Sequence, residues 1–453
     1  MNKAMVFVEN QAFGILVKLA KRSKERGFDN FVLFRPMHPH EKEQLKQYEQ
    51  AYKQPLFDRL VETERWDFDH IKKAVEEFEK EKSLAGLICV GGFFTQDGLL
   101  GAHVAKLAEE RGLPTQSVEG LYRSNNKYLT RDTLFHAGLN TVDFGLATDE
   151  ESLLRHAERI GYPVILKPIN GCASQLVIKC ENEQELIKGF HMGLKKLPQS
   201  LYKHMYSCIH RFPDQSGKMI EFNPLTSMLV EGYISGREAS VEIVVTETEV
   251  IPLLVHDKVL VTEGDRVVYE HLLVVPPVRF HDKEIQRMKE YAVKVAKATG
   301  IKNALCHVEL RYDEKTGPQL LEINPRVGGM LVTQSLETMI GFSVPDAILD
   351  LALGTFKPGT YDSISDLHAM FTLYPPHSGY FERVEGLDKL KRLPGILSTT
   401  LLFPEGSYIH GDDEEVFLLM GWMRGNSYEE ILSVYEEAKK VVRFHIIKKE
   451  KGK

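Results

Sequence analysis

The sequence predicts an α/β chain that opens with an open parallel sheet and continues into α+β lobes. Three observations carry this. Short apolar runs at 4–8 (AMVFV), 31–34 (FVLF) and 84–90 (LAGLICV) alternate with helix-periodic segments at 14–26, 67–82 and 98–111. Such alternation builds a parallel layer, here through about residue 115. A smaller unit follows: helix 125–137, strand 141–146, helix 150–160, and strands 163–167 and 174–179. The third observation is a hairpin pattern near residue 320 that joins two glutamates.

In that hairpin, LCHVELRY and LLEINPRVGG flank Asp313-Glu314-Lys315-Thr316-Gly317-Pro318, a turn signal. Closing the chain there sets Glu309 opposite Glu322, and alternation puts Asn324 and Arg326 on the face of Glu322. Opposed carboxylates repel, and divalent cations would neutralise them. Oxygen-only ligands with an amide suit Mg²⁺ held against phosphates. Arg326 adds a planar donor fork suited to carboxylate or phosphate oxygens. Val327-Gly328-Gly329 allows close approach of a ligand. The alternative is an ordinary hairpin whose charges face water.

The remaining elements follow from pattern. A charged and aromatic stretch, 183–222, leads to strands 227–233, 238–247 and 250–256. Helix 282–299 precedes the hairpin and helix 343–353 follows it. Pro358-Gly359 marks a linker. Beyond it lie strands 367–373, 396–403 and 416–422, helix 427–441 and a closing strand VRFHII. The expected division is 1–115, 116–225, 226–357 and 358–453, with the last a small α+β unit.

Composition narrows the function classes. The net charge is −7 and no basic stripe appears, which argues against nucleic acid. No apolar run reaches membrane-span length. The N-terminus MNKAMVFVENQAFG fits a first strand better than a signal peptide, because Glu9 interrupts the apolar run. Five scattered cysteines without a CxxC pair fit reduced thiols in cytoplasm.

Other motifs carry weaker signals. Tyr162-Pro163-Val164-Ile165-Leu166-Lys167-Pro168 is a strand ending in lysine, and Asn170-Gly171-Cys172-Ala173-Ser174 follows it. Small residues let backbone N–H groups approach phosphates, with lysine as a point charge; a surface turn is the alternative. Met228–Ile234 followed by Gly236-Arg237-Glu238 places Glu231 and Glu238 around a bend. Such carboxylates can accept from an adenine amine or hold ribose hydroxyls, though glutamates on strand edges are common. Lys127 opens a helix and could meet an anion or simply face water. Gly91-Gly92 ends a strand where open α/β sheets bind ligands, or makes a plain turn. His38-Pro39-His40 sits in a proline-containing loop without carboxylate partners. His256 with Asp257, and Glu270 with His271, could line a pocket or serve structure. No GxSxG elbow supports nucleophilic hydrolysis.

The order Lys127, ILKP with Lys167, LVEGYISGRE, HVEL, LLEINPRVGG resembles the ATP-grasp superfamily over about residues 116–355. The whole chain is similar to its layout of N-terminal α/β domain, two-lobed ATP-grasp unit and small C-terminal domain. The resemblance implies that Lys127 and Lys167 contact ATP phosphates and that Asn170–Ser174 covers them. It implies that Glu231 and the backbone at Tyr233 and Ile234 meet adenine, while Glu238 holds ribose. It makes Glu309, Glu322 and Asn324 ligands of Mg²⁺, two ions with Mn²⁺ as a substitute, and Arg326 the stabiliser of a phosphorylated intermediate. Within the superfamily, FNPLTSMLVEGYISGREASVE and the tail PHSGYFERVEG…LPGI…GW look most like L-amino-acid ligases, which form dipeptides and have carnosine-synthase-type relatives. The loop NGCASQ is less glycine-rich than in many members.

The expected chemistry is ATP-dependent joining of two amino acids through an acyl phosphate. Arg326 with the backbone N–H groups of Gly328 and Gly329 would stabilise the oxyanion. Glu270 or His271 would bind a substrate ammonium or assist proton removal. A homodimer is expected from the family alone. One rival makes carboxyphosphate from bicarbonate, as biotin carboxylases do; the absence of AMKM weakens only a self-contained version. Another is a non-catalytic ATP-binding regulator.

Overall fold

The computed structural model describes residues 3–171, 174–200, 202–264, 267–361, 364–411 and 415–448. Its first sheet is wholly parallel, with strands in the order Arg59–Glu62, Asp29–Phe34, Ala4–Glu9 and Leu84–Ile88. Every residue of Ala4–Glu9 is buried. Ala4, Val6 and Val8 pack with Ile71, Val75 and Leu107 on one face. Met5 and Phe7 pack with Leu16 and Leu19 on the other. A sheet covered on both faces needs such a continuous apolar run. Leu349 of the helix Val344–Leu353 joins the second face, and Arg26 pairs with Asp350 of that helix at 2.7 Å.

The smaller lobe carries an antiparallel sheet in the order Phe144–Ala147, Met228–Gly232, Val164–Pro168, Ile178–Cys180. The large sheet has eight strands. They are Gly317–Asn324, Ala304–Asp313, Arg237–Val245, Val250–Glu263, Val268–Val275, Leu367–Leu373, Leu419–Gly425 and Ile396–Leu401, in spatial order. One face of it is apolar: Ala239, Val241, Ile243, Cys306, Val308 and Leu310 pack on Met288, Ala292 and Val295 of the helix Asp282–Thr299. A fully buried side chain of this kind contributes about 1.5–3 kcal/mol. The period of two then forces Glu238, Ser240, Glu242, His307, Glu309 and Arg311 onto the opposite face. The sheet continues across the expected linker at Pro358-Gly359, because Leu367–Leu373 pairs with Val268–Val275.

Several elements differ from expectation. His38-Pro39-His40 is not a loop but the start of the helix Pro39–Tyr52, with Pro39 at its first turn and Glu41 reaching back to the His38 N–H. Proline's fixed φ suits that position. Only Glu41 of this helix is buried, so it shows no apolar stripe to betray it. The stretch 183–222 holds the helix Glu183–Lys196, capped by Asn182, and a hairpin of His210–Pro213 with Met219–Phe222. The strand from Val250 runs to Glu263, well past 256, and Glu270 and His271 lie within its partner Val268–Val275. Cys172 and Ala173 of the expected covering loop lie outside the described residues, as do Lys449-Glu450-Lys451.

Candidate active site

A cleft of about 320 Å³ opens between the small-lobe sheet and the polar face of the large sheet. Lys127, Lys167, Ser174, Glu231, Tyr233, Ile234, Glu238, Glu270, Glu309, Glu322, Arg326 and Gly329 all line it. These residues span two hundred positions of sequence, and the two sheets bring them to one place. Asn324, Gly328 and His271 are not among its lining.

On the large sheet, Glu309 stands directly opposite Glu322, and His307 opposite Asn324, as the hairpin register requires. A bulge at Leu321 follows, where Leu310 pairs with Leu320. Asn324 donates its amide to Glu322 Oε1 at 2.8 Å. Lys127 Nζ lies 3.3 Å from Glu322 Oε2. The pattern missed what neutralises Glu309. Lys258 Nζ, fully buried, donates to Glu309 at 2.7 Å, to Glu270 at 2.5 Å and to Glu238 at 3.2 Å. Glu238, Glu270 and Glu309 thus form a carboxylate triangle that a cation could occupy, and the lysine ammonium fills that role. Burial opposes the charge on Lys258, but the three carboxylates outweigh it and raise its pKa well above the usual lysine range.

His307 and Glu242 form a buried pair beside this triangle, 2.5 Å apart. Burial would lower the His307 pKa, yet Glu242 and then Glu309 pull it up to about 10, so the ring stays an imidazolium. Gly328 is explained by that ring, because a Cβ there would lie 2.6 Å from His307 Nδ1. Glu415 enters the cleft from the C-terminal segment and accepts from the Tyr374 hydroxyl at 2.6 Å and the Glu270 N–H at 3.0 Å. Burial, then the charge of Glu270, raises its pKa to about 8.

The small-lobe wall has the opposite sign. Glu231 is buried and accepts from Arg131 Nε at 2.8 Å, with Lys167 Nζ at 2.6 Å. Burial alone would raise its pKa; Arg131 and Lys167 overcome that and hold it at about 2. Lys167 itself is pushed down to about 8, first by burial and then by Arg131 and Lys127, against the pull of Glu231. Burial and the neighbouring cations together bring Lys167 down although it keeps the Glu231 carboxylate. Arg131 also donates to the carbonyls of Leu320 and Leu321, tying this lobe to the glutamate hairpin. Its position four residues after Lys127, on the same helix face, was the available signal. Lys127 Nζ donates to Gly171 O at 3.2 Å.

At the bend between the lobes, Arg311 donates to Glu238 Oε2 at 3.0 Å, to the Ile234 carbonyl at 3.0 Å and to the Tyr233 hydroxyl at 3.1 Å. Both oxygens of Glu238 are therefore engaged by cations. Lys179 lies over the Tyr233 ring at 4.5 Å. His271 turns away to Thr262 and packs against Tyr374.

Two lobes closing on a cleft with this ordered set define the ATP-grasp fold. Residues 160–334 match the ATP-grasp domain family, so the chain carries an ATP-grasp domain. Alanine–anticapsin ligase of Bacillus subtilis (strain 168) is 22% identical over 319 residues, 68% of this chain and 64% of that protein. The chain thus spans just under two thirds of that relative's length. Among solved structures, the L-amino acid ligase from Bacillus licheniformis superposes with a TM-score of 0.75 at 20% identity, covering 99% of both chains. The biotin carboxylase domain of Hydrogenobacter thermophilus 2-oxoglutarate carboxylase gives 0.68 at 17% identity, over 99% of this chain and 92% of that one.

Proposed function

We propose that this protein is an ATP-dependent carboxylate–amine ligase that joins two amino acids and releases ADP and phosphate. The observation that carries it is the pairing of a cationic wall, Lys127 and Lys167 with Arg131 buried behind them, with an acidic wall, Glu309 and Glu322, across one cleft beside Arg326. In this reading Lys127 and Lys167 meet the ATP phosphates, the backbone at Tyr233 and Ile234 meets adenine beside Glu231, and Glu238 meets ribose. Ser174 belongs to the segment that covers the phosphates.

Glu309, Glu322 and Asn324 offer only hard oxygen donors, once the Asn324 amide N–H is spent on Glu322, and that set fits Mg²⁺. Glu309, Glu322 and Asn324 would hold the metal, which would supply neutralisation of phosphate charge, with two ions expected and Mn²⁺ as a substitute. The substrate carboxylate takes the γ-phosphoryl group as an acyl phosphate. The amine of a second amino acid attacks that carbon, and phosphate leaves. Arg326 and the Gly329 N–H, at the cleft lining, would face the developing oxyanion, each well-placed donor contributing about 3–4 kcal/mol; the Gly328 N–H would join them only after the turn shifts toward the cleft. Glu270, at the cleft wall, binds the ammonium of an amino-acid substrate. His271 would act there only after turning from Thr262. A cytoplasmic homodimer completes the reading. The dimer rests on the family resemblance alone; the four described cysteines are free, and no described helix is long and apolar enough to cross a membrane.

The test is ADP release across pairs of amino acids, with mass spectrometry of the product. ADP release that needs bicarbonate and ignores amino acids would replace this reading with carboxyphosphate formation, which the similarity to the biotin carboxylase domain keeps in view. ATP binding with no turnover under any pair would leave the regulatory alternative.

A further inference from the structure

The turn Gly91-Gly92 found no role in the reading above. It ends the strand Leu84–Ile88, beside the carboxyl end of Ala4–Glu9, where the strand order reverses. Open α/β sheets bind ligands in that crevice. Here the protein fills it with its own carboxylate. Glu9, 1% exposed, accepts from the N–H groups of Asn10, Gln11 and Val90 at 3.0 Å and of Gly91 at 2.8 Å. A Cβ on Gly91 would lie 3.1 Å from both Glu9 Oε1 and Phe93 Cδ2, a tight approach that glycine relieves where these two groups close on the turn.

The next residue past the turn is Phe93. Its carbonyl accepts from the Leu100 N–H at 3.1 Å, so its backbone is fixed on both sides. Its ring lines the cleft, and the Arg326 guanidinium lies over it with Cζ 5.3 Å from the centroid. Arg326 makes one protein hydrogen bond among the described residues, from Nη1 to Val327 O at 3.1 Å, and its Nε is buried without a partner. One hydrogen bond to the neighbouring carbonyl is thus the whole of its polar support among the described residues. The other neighbour is the Phe93 face, whose ring quadrupole attracts a cation.

We propose that Phe93 is a positioning residue: its ring, set by the Glu9-braced turn, holds the Arg326 guanidinium in the plane from which it meets the reacting oxygens. The N-terminal domain then serves the cleft through one stacked ring and takes no ligand at its own switch point. The catalytic half of this statement rests on the ligase reading of Arg326; the stacking half does not.

Two measurements on the full-length protein separate them. The first is steady-state ADP release with MgATP and an equimolar mixture of the twenty common amino acids. Phe93→Leu and Phe93→Met keep apolar bulk and lose the ring. Each is expected to lower kcat on the order of tenfold, with KM for ATP unchanged, while Phe93→Trp stays within roughly threefold of wild type. In an Arg326→Lys background Phe93→Leu should add nothing. The second measurement is phenylglyoxal labelling of Arg326, followed by peptide mass spectrometry without substrate. Labelling should quicken roughly several-fold in Phe93→Leu and Phe93→Met but not in Phe93→Trp. Wild-type labelling rates in both ring-less variants overturn the proposal, as does a kcat loss that Phe93→Trp fails to rescue. If Arg326→Lys leaves ADP release unchanged, the ligase role of Arg326 falls, and the labelling result still decides the stacking.

Discussion

Glu231 and Lys258 sit on facing walls of one cleft and do opposite jobs. On the small-lobe wall a single carboxylate, Glu231, is shared by Arg131 and Lys167, with Lys127 nearby. On the sheet wall a single ammonium, Lys258, is shared by Glu238, Glu270 and Glu309, with Glu322 and Glu415 on the same side. Each wall keeps buried counter-charge, Glu231 on one and Lys258 with His307 and Arg311 on the other, that limits, without cancelling, its excess charge. Removing charges from water is costly unless they are paired, so a bare cluster of either sign would not persist. What remains is spare positive charge where phosphates would lie and spare negative charge where metal ions would lie.

The strongest way to break this comparison is to take a ligand charge from the acidic wall. Glu322→Gln keeps the shape and the amide contact with Asn324 while removing half of the facing pair. ADP release is expected to fall on the order of a thousandfold. A variant with undiminished turnover at saturating Mg²⁺ and substrates would deny that wall any part in transfer.

Lys258→Met tests the counter-ion on the same wall. It strands three carboxylates around an apolar side chain, and breaking a buried ionic set typically costs about 3–5 kcal/mol. Denaturant unfolding in EDTA should show that loss. Adding Mg²⁺ should recover more stability in the variant than in the wild type, because the metal then finds the triangle without an ammonium in it. Equal stability of the two proteins in EDTA would mean that Lys258 does not neutralise the triangle.

The sequence made one member of each pairing legible and hid the other, for a physical reason. Glu309 and Glu322 were readable because a turn signal and a period of two fix a hairpin's register locally. Glu231 and Lys167 were readable because they end strands in quotable motifs. Lys258 was not, since its partners come from three strands, and only their lateral order in the sheet brings Glu238, Glu270 and Glu309 round it. Arg131 and Glu415 are the same case, each joined to the cleft by a contact about a hundred or more positions away in sequence. The parallel N-terminal layer was legible from its apolar runs, whereas the helix Pro39–Tyr52 buries too little to show a stripe. A lysine between Asp257 and Val259, inside the largely apolar run LLVHDKVLV, was a hint of an inward charge.

On the cationic wall the expected effects are smaller, because Lys127 and Lys167 line the phosphate side together. Lys167→Met should weaken ADP binding by roughly ten- to a hundredfold, the scale of one charge-assisted contact. Calorimetric titration checks it. The variant should also release Glu231 from one of its two cations, so the loss should be partly offset at acid pH, where that carboxylate protonates more readily. A loss as large in Arg131→Met, which leaves the ammonium of Lys167 in place, would put the binding charge on the wrong residue.

The finest test uses pH alone. Lys167 lies at about 8 in the folded protein, against about 10.4 for an unperturbed lysine. Between those values the unfolded chain holds the extra proton, so this group makes stability rise with pH in that window, and its charged form is a cost below about 8. Nucleotide phosphates favour the charged form and reverse the balance. ADP affinity should therefore be flat up to about pH 8 and then fall, by at most about tenfold per unit, as each binding event takes up a proton. Titrations in two buffers of different ionisation enthalpy would count that proton, and Lys167→Arg, which stays charged, should flatten the slope. If wild-type affinity instead stays level to about pH 9.5, the Glu231 ion pair already holds the proton on Lys167. The small-lobe wall would then be fully charged before any nucleotide arrives, and the asymmetry between the two walls would lie only in the sign of their charge.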